Sequence, residues 1–215
     1  MPDGIKDKLI ATKQAWARAG RLLTGRDGDP AIDRLPPGQR LVKDWPILDL
    51  GIQPEVPRED WNLKIDGAVA GPVTWDFAML LKQPKFEDTS DIHCVTAWSR
   101  YDNRWTGVST RHLLDVVQPL PAARHVILHG YDGYTTNVAI EHFAEADCLL
   151  AHSHDGVPLS REHGGPVRLI MPRYYLWKSA KWLKRIEFAT ADAPGFWEVR
   201  GYHNVGDPWS EQRYG

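Results

Sequence analysis

Asp91-Ile92-His93-Cys94-Val95-Thr96-Ala97-Trp98-Ser99 is the stretch on which the reading of this chain turns. Residues 91–97 alternate as a strand, and a cysteine stands near its end, followed by small and aromatic residues and then by Arg100 and Arg104. Such a thiol has two readings. It is a buried structural group, the commoner fate of a lone cysteine, or it is a thiolate held by nearby cations and acting as nucleophile or soft-metal ligand. Spacing alone favours the first.

Outward from this strand, short strands alternate with short helices. Residues 62–65, 124–129, 167–171 and 185–189 read as strands. Residues 76–83 read as a helix cut off by Pro84, and 110–117 as a helix closed by Pro119. No regular βαβ period and no internal repeat is present, so the predicted class is α+β in one domain of mixed sheets with short helices. Towards the N-terminus, Ile5, Leu9, Trp16, Ala19 and Leu23 form an amphipathic stripe, with Lys6, Lys8, Lys13, Arg18 and Arg21 on the wetter side. A Gly/Asp/Pro-rich run over 24–38 reads as a loop wrapping the body. The organisation expected is therefore an N-terminal helix and wrapping loop (1–40), a main domain (41–190), and an aromatic C-terminal tail packed on it (191–215).

Composition narrows the function. Twenty-six Lys+Arg against 28 Asp+Glu give a net charge of −2 over 215 residues, which disfavours a nucleic-acid binder. No apolar run is long enough for a membrane span, and the opening Met1-Pro2-Asp3-Gly4 shows no export signal, so a cytoplasmic protein is expected. Two cysteines, Cys94 and Cys148, are too few for a disulfide framework. Ten Trp and nine His suit a pocket for a bulky, flat, polar ligand as well as they suit aromatic core filling.

Further candidates lie downstream. In His163-Gly164-Gly165-Pro166-Val167-Arg168 the two glycines let backbone approach a ligand closely, flanked by a hydrogen-bonding ring and a cationic fork. In Trp177-Lys178-Ser179-Ala180-Lys181-Trp182, Ser179 and Ala180 can offer backbone N–H groups while Lys178 and Lys181 meet a phosphate; the plainer alternative is a solvated basic helix end. The two segments in tandem point to an anionic ligand. Asp132, in the turn after the strand at 124–129, can accept hydrogen bonds from ligand nitrogens or simply make an Asp-Gly turn. His152 and His154 share a strand face, but no third zinc ligand follows at suitable spacing. Dinucleotide, P-loop and nucleophile-elbow motifs are absent.

Together, His93-Cys94-Val95-Thr96-Ala97-Trp98-Ser99, Trp105-x-Gly107-Val108, His163-Gly164-Gly165-Pro166-Val167-Arg168 and Lys178-Ser179-Ala180-Lys181-Trp182 resemble, in that order, the molybdopterin-binding domain of the sulfite oxidase family. The resemblance runs over roughly residues 40–190. It implies that Cys94 is the protein's sulfur ligand to molybdenum and that the cofactor is molybdenum–molybdopterin. It implies that His163 and Arg168 bind pterin and phosphate, that Ser179, Ala180 and Lys181 hold the pterin, and that Asp132 and Lys43 make further polar contacts. Arg100 and Arg104 then stand close enough to the ligand cysteine to attract an oxyanion or S-oxide dipole, or are surface charges.

Two departures refine the resemblance. The vertebrate-type Cys-x-Gly-Asn-Arg-Arg is replaced here by Cys94-Val95-Thr96-Ala97-Trp98-Ser99, closer to the bacterial branch containing the catalytic subunit of methionine-sulfoxide reductase. His163 replaces the asparagine typical of that branch. The chain also lacks room for a haem domain or an added dimerisation domain. The implied activity is two-electron oxygen-atom transfer on a small S-oxide or sulfite-like substrate, with electrons exchanged with a separate partner. Two rivals stand beside it: a non-catalytic pterin-binding or interaction module that kept the fold, and a metal-free enzyme using Cys94 as nucleophile with a histidine base.

Overall fold

A computed structural model describes residues 3–18 and 34–215 of the chain. Helix α1 (Asp3–Arg18) opens it, and β1 (Arg40–Leu41) follows. Then come β2 (Asn62–Gly67), β3 (Val73–Asp76), α2 (Phe77–Leu81), β4 (Phe86–Cys94), β5 (Trp98–Ser109) and α3 (Thr110–Val117). The second half holds β6 (His125–Gly130), β7 (Thr135–Ala139), α4 (Ile140–Phe143), β8 (Leu149–His154), β9 (Val157–Pro158), β10 (Arg168–Ile170) and β11 (Leu183–Ala189). Short 3-10 turns lie at Arg161–His163, Leu176–Lys178 and Glu198–Arg200. Mixed sheets with few short helices make this an α+β fold.

The two predicted inner helices form for local reasons. Asp76 accepts from the amide of Met79 (2.7 Å) to start α2, and Ser109 accepts from the amide of Arg111 (3.2 Å) to start α3. Gln118 ends α3 in a left-handed conformation, one residue before Pro119.

The strands assemble into two sheets. One runs β3-β2-β11-β6-β7, with β2 and β11 parallel and the other pairs antiparallel. The other runs β1-β5-β8-β10, with β4 on β5 and β9 on β8. Each sheet buries one apolar cluster. Leu63, Ile65, Val126, Leu128, Ile186 and Phe188 of the first sheet pack with Leu80, Leu113, Val117 and Phe143. The second cluster joins Ile92, Trp98, Trp105, Leu149, Ile170 and Tyr175 to Ile10 and Ala17 of α1, and to Trp197 and Tyr202 beyond the last strand.

Three local expectations are revised. The strand predicted over 91–97 begins at Phe86 and ends at Cys94, because Ala97 is left-handed (φ 69°) and its amide closes a turn on the Cys94 carbonyl (3.0 Å). The longest strand, β5, was not anticipated. On α1 the inward residues are Ile10 and Ala17, with Lys13 half-buried rather than on the wet side. The Ile5 side chain, Ala19, Arg21, Leu23 and most of the loop at 24–38 lie outside the described residues.

Candidate active site

Cys94 is the last residue of β4, paired with Trp98 across the hairpin. Gln39 Nε2 donates to the Cys94 carbonyl (3.1 Å) and Arg213 Nη1 to the Val95 carbonyl (2.7 Å), so both flanking segments clamp the turn. The thiol is 7% exposed and lies 3.2 Å from Thr96 Oγ1, its one hydrogen-bond partner among the described residues. Burial pushes the thiol up, and the hydrogen bonds to Thr96 oppose this. Its neighbour His93 turns away to Ser99 Oγ (2.8 Å) and is driven down to about 4 by burial. No histidine base therefore serves Cys94, and the metal-free cysteine enzyme loses its second catalytic group.

Cys94 lines a partly open cavity of about 130 Å³. Trp45, Trp98, Trp177, Trp182 and Trp197 wall it, and its polar lining includes Arg168, Lys181 and Lys13 together with Asp49, Asp132, Ser179 and Thr96. Residues far apart in sequence thus meet around one space.

Arg168 begins β10, 2% exposed, and its guanidinium finds only carbonyls: Nη1 donates to His163 (2.8 Å) and Nη2 to Ser179 (2.9 Å). Burial lowers it to about 9. Lys181 Nζ likewise donates to the carbonyls of Glu162 (2.7 Å) and Leu48 (2.9 Å). Burial first, then the charge of Arg168, lowers it to about 7. His163 stacks on Trp45 (centroids 3.8 Å apart, planes at 6°) and is lowered to about 4 by burial and by Arg168. Its ring is neutral at pH 7, and its buried Nδ1 has no partner among the described residues. Asp132 Oδ1 accepts from the amide of Tyr134 (3.0 Å), and burial raises its carboxyl.

The glycines of the 163–168 run act differently from the expectation. Gly164 is left-handed (φ +101°), and a Cβ there would lie 2.9 Å from Lys181 Cβ; one at Gly165 would lie 2.3 Å from the Leu159 carbonyl oxygen. The close approaches bring chain against chain and set Lys181 beside the cradle. Ser179 accepts from the amide of Met171 through Oγ (3.0 Å), and Ala180, 1% exposed, accepts from the amide of Leu169 through its carbonyl (2.9 Å).

Other sequence candidates lie elsewhere. Lys178 is no solvated helix end: at 1% exposure its Nζ pairs with Glu198 Oε1 (2.6 Å) and donates to the Asn137 carbonyl (2.8 Å). Lys43 is exposed and does not line the cavity. Arg100 spends its guanidinium on Asp155 (3.1 Å), Asn103 and His154, and Arg104 also reaches Asp155 (3.4 Å). Neither arginine lines the cavity, because Asp155 draws both to the far end of β8. Sequence reasoning missed the aromatic wall at Trp45 and the cation at Lys13.

The donor set fits a large, flat, anionic, metal-bearing group. A guanidinium removed from water with no carboxylate partner costs several kcal/mol unless an anion meets it. Trp98 lines the cavity, and its buried Nε1 lacks a partner among the described residues; His163 and Ala180 do not line it, although His163 stacks on the lining Trp45 and its buried Nδ1 is likewise unpartnered. A soft sulfur stands on the same wall.

Residues 50–197 match the model of the oxidoreductase molybdopterin binding domain. The chain belongs to that family. It is a molybdopterin-binding oxidoreductase of the sulfite oxidase-like type, with molybdopterin as its cofactor. The uncharacterized oxidoreductase YuiH of Bacillus subtilis is 44% identical over 184 residues, spanning 84% of this chain and 92% of that protein. The protein-methionine-sulfoxide reductase catalytic subunit MsrP of Ralstonia nicotianae is 27% identical, over 68% of this chain and 49% of its own length. The sulfane dehydrogenase SoxCD of Paracoccus pantotrophus shares the fold at TM-score 0.60 and 22% identity, over 65% of this chain and 40% of the matched one. The chain thus spans nearly all of YuiH but half or less of these other two. Among the described residues no helix is long and apolar enough to cross a membrane.

Proposed function

We propose that the cavity seats molybdenum–molybdopterin with Cys94 as the protein's sulfur ligand, and that the enzyme transfers an oxygen atom to or from a small S-oxide or sulfite-like substrate. The step moves two electrons, which are exchanged with a separate redox partner. The observation that carries this reading is a soft sulfur and an uncompensated buried guanidinium lining one tryptophan-walled cavity. When bound, the cofactor supplies a metal that cycles between two oxidation states two electrons apart.

The chain's own residues have separable tasks. Arg168 and Lys181 hold the anionic end of the ligand, their carbonyl partners fixing the direction of the remaining N–H groups. His163, neutral and stacked on the cavity-lining Trp45, holds that wall in place with its Nδ1 open to a ligand, while Ser179 lines the cavity and Ala180 supports it from behind. Asp132 accepts from ligand N–H groups. Cys94 fixes the metal on a hairpin clamped from both sides, and the tryptophan wall keeps water from the reacting centre. Lys43, Arg100 and Arg104 have no part in this assignment. Two free thiols are compatible with a reducing, cytoplasmic setting.

Metal analysis tests the reading. Protein made in a host that synthesises the cofactor should carry molybdenum near one per chain, and Cys94→Ser should lose it while keeping its fold. Wild-type protein without molybdenum from such a host would overturn the proposal.

A further inference from the structure

The turn that ends β4 delivers two hydrogen-bond donors to one sulfur. The amide of Ala97 closes it on the Cys94 carbonyl (3.0 Å), with Ala97 in the left-handed region (φ 69°). Inside that turn the Cys94 sulfur accepts from the amide of Thr96, two residues on, as the side chain of an Asx turn does. Thr96 Oγ1 lies 3.2 Å from the same sulfur. Thr96 is 3% exposed and lines the same cavity as Cys94.

The hydroxyl serves nothing else in the fold. Among the described residues the Cys94 sulfur is its one hydrogen-bond partner. A buried turn needing only a β-branched side chain would carry valine here, as position 95 does, without the cost of taking a hydroxyl out of water. Between a thiol and a hydroxyl either group can donate, but a thiolate bound to metal has no proton, so Thr96 is then the donor. Such a bond draws electron density from the sulfur and strengthens as the site gains negative charge, which favours the reduced metal.

We propose that Thr96 is a positioning residue acting through Cys94: its hydroxyl donates to the ligand sulfur and raises the reduction potential of the bound metal. This inference rests on the function proposed above and names what sets the redox poise of that site.

The test compares molybdenum-loaded wild type, Thr96→Val, Thr96→Ala and Thr96→Ser, with molybdenum content and Tm measured alongside. Potentiometric titration followed by electron paramagnetic resonance reads a one-electron couple of the metal. Thr96→Val should favour the oxidised form about tenfold, a fall of about 59 mV. Thr96→Ala should fall by as much, and decides the matter where Thr96→Val does not fold. Thr96→Ser loosens the same packing but keeps the hydroxyl, so its couple should stay within about threefold of wild type. The sulfur-to-metal absorption band should move to lower energy in the Val and Ala variants and hold its place in the Ser variant. An unchanged potential in fully loaded Thr96→Val and Thr96→Ala, or a fall in Thr96→Ser as large as theirs, overturns this inference alone. Loss of molybdenum from the Val and Ala variants also overturns it, by making Thr96 part of what retains the metal. A wild type devoid of molybdenum overturns the proposed function and this inference with it.

Discussion

Replacing Arg168 by Met separates what the guanidinium does for the fold from what it does for the ligand. The side chain is 2% exposed and burial pulls it down to about 9, more than three powers of ten in proton affinity, which at 1.36 kcal/mol per tenfold is about 5 kcal/mol of destabilisation carried by the charge. Arg168→Met removes that penalty but strips the donors from three carbonyls, those of His163, Ser179 and Leu169, at about 1–3 kcal/mol each. Set against that penalty, the cofactor-free variant should lie between about 4 kcal/mol less and about 2 kcal/mol more stable than wild type. The loaded variant should lose most of the stabilisation that cofactor binding gives wild type, because the anion no longer meets its buried cation. The sign with pH is fixed: the charge persists below about 9, so its cost is full there and falls as pH rises above 9 towards the ordinary guanidinium range. The assay is thermal unfolding of cofactor-free and loaded protein in parallel. A cofactor-free variant destabilised by more than about 4 kcal/mol, combined with an undiminished gain on loading, would refute the assignment of Arg168 to the ligand.

Lys178→Met should leave Glu198 buried without its cation and cost about 3–5 kcal/mol, a fall in Tm of roughly 10 °C by calorimetry. A loss under about 1 kcal/mol would mean that the pair is not the clamp between the cradle and the C-terminal segment. Lys181, lowered to about 7 in the fold against 10.5 in an open chain, binds its proton less tightly when folded. The cofactor-free wild type should therefore gain stability relative to Lys181→Met as pH rises from about 7 to 10.5, in denaturant titrations across that range. A flat difference between the two proteins would contradict it.

The parts of the site that were legible share a local signature. Cys94 at a strand end, the paired glycines and the two cations Arg168 and Lys181 stood out by residue type, but spacing alone favoured a structural Cys94, and only the family resemblance pointed to a metal ligand. Helices α2 and α3 were legible because Pro84 and Pro119 mark their ends locally. What escaped depends on partners distant in the chain. Strand β5 hid because Arg100, Asp102, Asn103 and Arg104 break any apolar alternation, and its polar stretch is satisfied only once Ser90, His154 and Asp155 lie beside it. Lys178 read as a wet residue until Glu198 paired with it. Lys13 read as solvent-facing because helical periodicity counts every lysine outward, whereas the rotation of α1 is set by contacts with Arg200 and Tyr214. Arg100 and Arg104 stood near Cys94 in sequence, but the hairpin turn sends β5 away from it, towards Asp155.

The grip on the Cys94 hairpin by Gln39 from upstream and Arg213 from near the C-terminus bears on how the enzyme can be cut down. A fragment trimmed to residues 50–197 would keep the sulfur and every strand except β1, but it would release the loop that aims that sulfur. Miniaturised versions, or grafts of this cradle into other scaffolds, should therefore carry both end segments along, or replace their two tethers, if the thiolate is to stay pointed at its metal.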